Sequence, residues 1–461
     1  MKNYQLKRVL GLKESIIINL GAIIGAGIFV IIGIAAGKAG PAIIISILLS
    51  AIIAIFTGLS FSEIASHISK EGGVYEYAKE SFRPSAGFIG GTMWTFSNMI
   101  AISAVSLSLG SYINSLFKIH INLIFLGIPV IIIFSILNIL GIKNSTKTLT
   151  ILVMVNIVIL VIFIITGIFY FHASHFTNFY PHGFNGIMEG SALIFFAFTG
   201  FSRITTVGDE VKNPEKTIPK AIIISIIISA LLYITIAIVA IGLIPYKNLA
   251  HSSAPLSAAI GVLHNYYLDI IIAIGGITAT AGVTLTGILG TSRVLYAMGR
   301  DDEIPKKFGH IDKYATPVYS VMLSATISII FVYFVGFSTI IEASNVSVLI
   351  AYSIINISAV ILWSKLKNEN PKHLRENKYF FIIPMAGVVT ILVTISYLGL
   401  PAIEISLAVL LIISMIYSIK YLLITKGYIK HIEKAIPKTT IVRVIGKSRN
   451  IIKSNKNKKN L

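Results

Sequence analysis

The sequence predicts an all-α integral membrane protein with twelve transmembrane helices, arranged as two inverted five-helix repeats followed by two C-terminal helices. Hydrophobic residues make up 55% of the 461 residues, only 12% are charged, and the mean hydropathy is +0.85. Because soluble domains carry about 25% charged residues, this composition excludes a water-soluble globule. The apolar residues also fall in long runs, and the basic residues crowd into alternate loops. The absence of cysteine excludes disulfide bonds and thiolate metal sites.

Twelve apolar runs follow one another, each near the roughly 20 residues that cross a bilayer. They predict helices, because the strands of a membrane barrel alternate polar and apolar residues. Prolines interrupt the helical pattern between runs, as at Gly40-Pro41 and Leu400-Pro401. The predicted spans are 15–37, 42–66, 85–116, 121–140, 148–171, 186–208, 220–243, 267–298, 317–337, 340–363, 380–399 and 403–424.

The basic residues predict how these spans are oriented. When the loops are assigned to alternate sides, 35 of the 38 Lys and Arg residues lie on the side of the N-terminus. Only Lys38, Lys118 and Lys247 lie on the other side. Positive residues mark the cytoplasmic side, so we expect a cell-membrane protein with the N-terminus (1–14) and the basic tail (426–461) in the cytoplasm. The net charge of +19 is then an orientation signal and a means of contacting anionic lipid, not a nucleic-acid site.

The predicted membrane interior holds few ionisable residues. None of the spans carries paired central carboxylates, an HExxH motif or a Ser-His-Asp arrangement, so we expect neither an enzyme nor a metal site nor a resident cofactor. Neutral polar residues are more frequent, and they either hydrogen-bond neighbouring helices or line a polar cavity. These residues are Asn19, Ser103, Ser106, Asn156, Thr199, Thr284, Thr286, Asn345 and Ser347.

Two spans are predicted to be broken near their middles. In span 1 the glycines at 21, 25 and 27 place the poorest intramembrane helix former at the centre, although Gly21-x-x-x-Gly25 also fits a helix-packing motif. In span 6 the Thr199-Gly200 step lies among aromatic residues. Each broken span precedes a span that opens behind proline and then an unusually long span. This recurrence predicts five-helix repeats over 15–171 and 172–364, with helices 11 and 12 in 365–425.

Because five is odd, the second repeat enters the membrane from the opposite side. Inverted repeats whose first helices are discontinuous are typical of secondary transporters, which bind substrate at the midplane between the breaks. Unwound backbone leaves free N–H and carbonyl groups, and half-helix N-termini favour a carboxylate. An amino acid, with one carboxylate and one ammonium group, suits such a site.

Four segments resemble the amino acid-polyamine-organocation transporters, with most likeness to the cationic amino acid transporter branch. They are the glycine-rich Gly21–Phe29, the end of span 2 and the following loop (Phe61–Phe82), the span 6 signature (Phe196–Ile222) and the loop after span 8 (Ser292–Pro305). The resemblance implies a leucine-transporter-like fold and alternating access, in which the site opens to each side of the membrane in turn.

The resemblance also implies roles for particular residues. One group would contact the substrate carboxylate: Ala22, Ile23, Gly25, Ala26 and Gly27. A second group would receive the ammonium through carbonyls and cover the substrate with an aromatic gate: Phe196, Phe198, Thr199 and Gly200. Phe198 is equally compatible with packing, so the gating phenylalanine stays open. Glu210 would join an inner-gate charge network, or else be an exposed loop acid balanced by Lys212 and Lys216.

The residue that some members of that family use to couple transport to protons is different in this sequence. Some proton-coupled members place a lysine midway along helix 5, and alignment on Thr166-Gly167 puts Asn156 there, which cannot titrate. Proton coupling through this position is therefore in doubt. Sodium bound by helix 1 carbonyls and Thr284, or exchange without an ion, are the other two possibilities.

The expected substrate is a neutral amino acid. A buried pocket for a cationic side chain should offer a carboxylate, because an unpaired buried charge is costly. The central segments of spans 3, 6, 8 and 10 contain none. The alternatives are a transporter or exchanger of cationic amino acids or polyamines and, from a different class, a non-transporting amino acid sensor or a channel.

Overall fold

The computed structural model describes residues 8–25, 27–68, 70–312, 314–334, 337–369 and 381–435. Within these ranges the chain is helical apart from turns and one isolated parallel bridge between Leu10 and Val211. The first half contains α1 (Leu12–Ile23), α2 (Ile32–Ala39), α3 (Ile43–His67), α4 (Val74–Ser81), α5 (Pro84–Phe117), α6 (Leu123–Ile139) and α7 (Ile142–Phe169). The second half contains α8 (Gly183–Phe198), α9 (Pro214–Leu243), α10 (Tyr246–Ala250), α11 (Pro255–Gly261), α12 (Tyr266–Arg300), α13 (Val318–Phe334), α14 (Phe337–Glu369), α15 (Ile382–Ser396) and α16 (Leu400–Ala435).

Eight helical segments in the described residues are long and apolar enough to cross a membrane, judged by length and composition. One of them, Leu12–His67, has 56 residues and covers the first two predicted spans. Three shorter apolar helices coincide with predicted spans 4, 9 and 11. The all-helical membrane class is therefore confirmed, and the twelve crossings and the inverted repeat stay predictions.

Both predicted breaks coincide with changes of helix type. α1 ends at Ile23, and a π-helical turn over Gly27–Ile31 precedes α2. α8 ends at Phe198, and the chain continues as a 3-10 segment over Thr199–Glu210. Three helices were not foreseen: the short α4, and the pair α10 and α11 between α9 and α12. None of these three has an apolar run long enough to be predicted as a span.

The helices of the two halves pack in corresponding pairs. α3 packs against α8 as α9 packs against α1, and α5 packs against α14 as α12 packs against α7. The two longest helices of this region, α5 and α12, also pack against each other. This correspondence is what two related five-helix repeats would produce, so it supports the predicted arrangement.

Several of the polar residues singled out in the sequence hydrogen-bond a neighbouring helix. Ser103 donates to the carbonyl of Ser328 at 2.7 Å, and Asn345 donates to that of Ala192 at 2.9 Å. The hydroxyls of Ser347 and Ser406 lie 3.1 Å apart. For the two serines, helix-to-helix bonding accounts for the hydroxyl without a cavity, whereas the Oδ1 of Asn345 has no hydrogen-bond partner among the described residues.

The chain divides into two compact units, Met1–Val409 and Leu410–Leu461. The described part of the second unit is the C-terminal portion of α16, up to Ala435. Most of the predicted basic tail, from residue 436 onward, lies outside the described residues, as do Met1–Lys7.

The packing of α5 against α12 predicts a stability difference between two glycine variants. A Cβ at Gly276 would overlap the ring of Tyr112, whereas a Cβ at Gly261 would have its nearest neighbour, Asp269 Oδ1, at 3.8 Å. Overpacking costs ~1–3 kcal/mol and outweighs the ~1 kcal/mol gained in helix propensity. We expect Gly276→Ala to lower the apparent melting temperature in detergent and Gly261→Ala to leave it unchanged or higher. Equal melting temperatures for the two variants would contradict this packing.

Candidate functional site

The break after α1 exposes main-chain carbonyls, and side chains from three other helices bind them. Tyr233 of α9 donates to the Ile23 carbonyl at 2.6 Å. Asn156 of α7 donates to the Ile24 carbonyl at 3.4 Å. The Phe29 carbonyl accepts a hydrogen bond from Tyr112 of α5. Side chains of α9, α7 and α5 therefore bind main-chain carbonyls at the end of α1 and in the π-helical turn that follows it.

The glycines of this segment allow close packing. A Cβ at Gly25 would overlap the side chain of Val283 in α12, and a Cβ at Gly27 would overlap Ala197 in α8. A side chain at either position would therefore disturb these contacts in the present conformation. Ala26 lies outside the described residues.

The two breaks contact each other directly. Gly200 lies so close to the backbone of Ala22 and Ile23 that an added Cβ would overlap it. On the other side of the 3-10 segment, Tyr352 of α14 donates to the Thr199 carbonyl at 2.6 Å. The hydroxyl of Thr199 donates to the Phe196 carbonyl at 2.8 Å. The structure thus brings together the residues that the sequence assigned to two separate broken spans.

The aromatic residues around the second break have different surroundings. Phe198 is fully buried and packs edge-to-face against Tyr233 with ring centroids 5.3 Å apart. Phe196 is also buried, at 7% exposed. Phe61 and Phe201 each lie 5.3 Å from the ring of Tyr352. The three tyrosines at the breaks were missed by sequence reasoning, and a tyrosine inside an apolar span is the signal that could have found them.

The two candidate coupling residues differ in position. Asn156 lies beside the α1 break, and its Oδ1 is buried without a hydrogen-bond partner among the described residues. Thr284 is buried in α12, where its hydroxyl donates to the carbonyl of Thr280 at 3.0 Å. The structure therefore brings Asn156 to the break, whereas the Thr284 donor is used within its own helix.

A buried charge network lies at the end of the bundle where Leu10 pairs with Val211, which we call the N-terminal face. Arg293 of α12 donates from Nε to Glu210 at 3.1 Å, and Glu71 Oε1 lies 3.9 Å from the same nitrogen. All three side chains are at most 1% exposed. Glu210 is therefore not an exposed loop acid, and the sequence had not identified its partners.

A second set of ion pairs joins α4 to the end of α12 on the same face. Arg300 lies 3.1 Å from Glu76, and Lys79 lies 2.6 Å from Asp301. Tyr75 donates to the same Asp301 carboxylate at 2.9 Å. These contacts link the loop region after α3 to α12, so the N-terminal face is closed in this conformation.

Glu71 is a member of this network whose pKa is raised. Burial raises the pKa of this carboxyl well above its usual value of 4.5, and the nearby Arg293 opposes the rise only in part. Both carboxyl oxygens lack a hydrogen-bond partner among the described residues.

Open space lies at the opposite end of the bundle. One cavity of about 340 Å³ lies between the end of α5 and the start of α12, with Lys118 and Asp269 among its lining residues. A second cavity of about 320 Å³ is lined by Lys38, Glu189 and Glu342 among others. The described structure is closed by ion pairs at one end and indented at the other.

Comparison with known proteins gives a consistent assignment. The family described as "Amino acid permease" matches residues 10–422. The branched-chain amino acid permease BcaP of Bacillus subtilis is 30% identical over 380 residues, covering 78% of this chain and 82% of that protein. The methylthioribose transporter of Bacillus subtilis is 30% identical over 410 residues, covering 85% and 87%. The vacuolar cationic amino acid transporter 4 of Arabidopsis thaliana is 28% identical over 383 residues, covering 78% and 64%.

Arg293, which lies within 4.0 Å of both Glu71 and Glu210, predicts how the N-terminal face opens. The chain has no cysteine, so Ala297→Cys introduces a single thiol at a fully buried position. Adding Arg293→Gln leaves Glu71 and Glu210 without a cation, and breaking such a buried pair costs ~3–5 kcal/mol. We expect thiol labelling of the cysteine to accelerate at least about tenfold. Lys306→Gln, which removes an exposed pair at 3.3 Å, is the control and should leave the rate unchanged.

The raised pKa of Glu71 predicts a pH dependence of stability. The folded protein holds a proton on Glu71 that the unfolded chain releases, so this group stabilises at low pH and loses its contribution as pH rises through the raised pKa. Glu71→Gln stays neutral. We therefore expect the melting temperature of the variant, relative to the original protein, to rise from pH 5 to pH 8.

Glu80→Gln is the matched control for this measurement. The hydrogen bond from Lys70 lowers the pKa of Glu80, so this acid stays ionised throughout that range. Its substitution should change stability by a constant amount. A Glu71 difference that is equally flat would show that Glu71 does not carry the proton.

Proposed function

Because the chain belongs to the amino acid permease family of the amino acid-polyamine-organocation superfamily, we propose that it is a secondary active transporter of neutral amino acids that works by alternating access. As a family member it is a multi-pass membrane transporter and not an enzyme. The observation that carries the proposal is the direct contact between the two broken helices, where Gly200 meets the backbone of Ala22 and Ile23.

Main-chain groups at these breaks provide the chemistry for an amino acid backbone. N–H groups near Gly25 and Gly27 would bind the carboxylate, and carbonyls from Phe196 to Thr199 would bind the ammonium. In the present conformation Gly25 and Gly27 pack against α12 and α8. Substrate binding therefore requires α1 and α8 to move away from these neighbours, a movement that alternating access would supply.

The surroundings of the breaks favour a neutral side chain. The side chains that contact the break carbonyls are Tyr112, Tyr233, Tyr352 and Asn156, none of which carries a negative charge. A cationic substrate would lack a counter-charge there, which is costly in a buried pocket. The similarity to a branched-chain amino acid permease supports this preference, and that to a cationic amino acid transporter supports the alternative.

The closed N-terminal face suggests which conformation the structure represents. With both termini in the cytoplasm, as the basic loops favour, the ion pairs of Arg293 and Arg300 would close the cytoplasmic side. The two cavities would then face the outside. The basic tail would lie near anionic lipid at the cell membrane.

The coupling proposal follows from the position of Asn156. It bonds the Ile24 carbonyl at the break but cannot bind and release a proton in the working pH range. We therefore place no coupling proton at this residue. Sodium held partly by the break carbonyls, or amino acid exchange without an ion, fits the position, and a sodium gradient distinguishes the two.

The substrate prediction is tested in proteoliposomes that take up labelled alanine. We expect excess leucine or isoleucine to reduce uptake and excess arginine to have little effect, because the pocket lacks a carboxylate. Competition by arginine but not by the neutral amino acids would overturn the preference. In the same assay Gly25→Leu should abolish uptake, and Lys306→Gln, at an exposed position, should leave it unchanged. Full uptake by the Gly25→Leu protein would contradict the proposed site.

A further inference from the structure

The 3-10 segment after α8 carries a buried arginine that the proposed mechanism does not use. Arg203 is 5% exposed, and its guanidinium lies 4.9 Å from the ring centroid of Trp94 in α5. Its Nη2 donates to the side-chain oxygen of Asn98. Its Nε and Nη1 have no hydrogen-bond partner among the described residues.

The charge of Arg203 also lacks a carboxylate partner. None of the described Asp and Glu side chains lies within 4.0 Å of it. Arg293, in contrast, has Glu71 and Glu210 within that distance. An unpaired guanidinium inside a membrane helix is expensive, and such residues mark functional positions. The stacking on Trp94 and the bond to Asn98 hold the side chain without neutralising it.

Arg203 lies beside the candidate substrate site. It follows Gly200 by three residues in a segment that rises about 2 Å per residue, which puts its Cα about 6 Å further along. The preceding Ser202 lies 2.7 Å from the hydroxyl of Tyr352, which bonds the Thr199 carbonyl at the break. The Arg203 backbone therefore lies close to the second break, on the side of the N-terminal face.

We infer that Arg203 is a specificity-determining residue that excludes amino acids with cationic side chains. The inference rests on the proposed function, since it concerns the substrate of the same site. At an effective dielectric constant of about 20, two like unit charges about 10 Å apart change an equilibrium by roughly tenfold. The Arg203 charge thus repels a cationic substrate side chain, which already lacks a carboxylate partner at the proposed site.

A purely structural role for Arg203 would have a different signature. Loss of the Asn98 bond or the Trp94 stacking would weaken binding of all amino acids alike. Loss of a repelling charge changes the ratio between substrates that differ only in charge. Lysine and norleucine form such a pair, because norleucine is lysine without the terminal ammonium.

The test measures displacement of labelled leucine by lysine and by norleucine in proteoliposomes. The readout is the ratio of the two half-inhibitory concentrations, lysine over norleucine. Three variants are compared: Arg203→Gln removes the charge, Arg203→Lys keeps it, and Asn98→Asp places a carboxylate beside Nη2 and neutralises it in place. We expect the ratio to fall roughly tenfold in the Gln and Asp variants and to stay unchanged in the Lys variant.

Each outcome bears on the inference. An unchanged ratio in the Gln and Asp variants overturns it, as does an equal fall in the Lys variant. If Arg203→Gln protein does not fold, Asn98→Asp decides alone, because it retains the arginine. Failure of the original protein to take up any neutral amino acid would instead refute the proposed function, so the two failures are distinguishable.

Discussion

Backbone groups released by the two broken helices need hydrogen-bond partners, because the membrane interior offers no water. The structure meets this requirement with hydroxyl groups from distant helices: Tyr233 bonds the Ile23 carbonyl and Tyr352 bonds that of Thr199. α9 and α14 must therefore stand next to the breaks. The Thr199 carbonyl is also one of the groups that we propose for the ammonium of an amino acid, so its bond from Tyr352 would be exchanged when substrate enters.

The glycines show how far the sequence could predict this site. Glycines in the middle of span 1 and the Thr199-Gly200 step predicted two breaks, since glycine is the poorest intramembrane helix former. The sequence could not show that Gly200 meets the backbone at Ala22, because that contact joins segments 178 residues apart. Nor could it separate the two meanings of a small residue: Gly25 lies where the helix is interrupted and also packs closely against α12, and Gly27 packs against α8.

The charge network had a weaker signal in the sequence. Glu210 and Arg293 both belong to segments that resemble the family, but the resemblance assigns a charge network to Glu210 alone. The pairing joins residues 83 positions apart, and charge counting reports the side of the membrane and not which acid meets which base. Glu71 lies in a loop, where an acid is ordinarily exposed. Only packing of that loop against α12 makes it a buried group with a raised pKa.

The two buried arginines show that the role of a buried charge depends on the side chains around it. Arg293 pairs with Glu210 at 3.1 Å, so its charge is balanced and it can hold the N-terminal face closed. Arg203 stacks on Trp94 and bonds a neutral amide, so its charge remains in the field that a substrate meets. A low-dielectric interior strengthens both effects. A buried arginine with an acid within 4.0 Å therefore stabilises the packing of the helices that it joins. A buried arginine without such an acid keeps a charge that repels a cationic substrate.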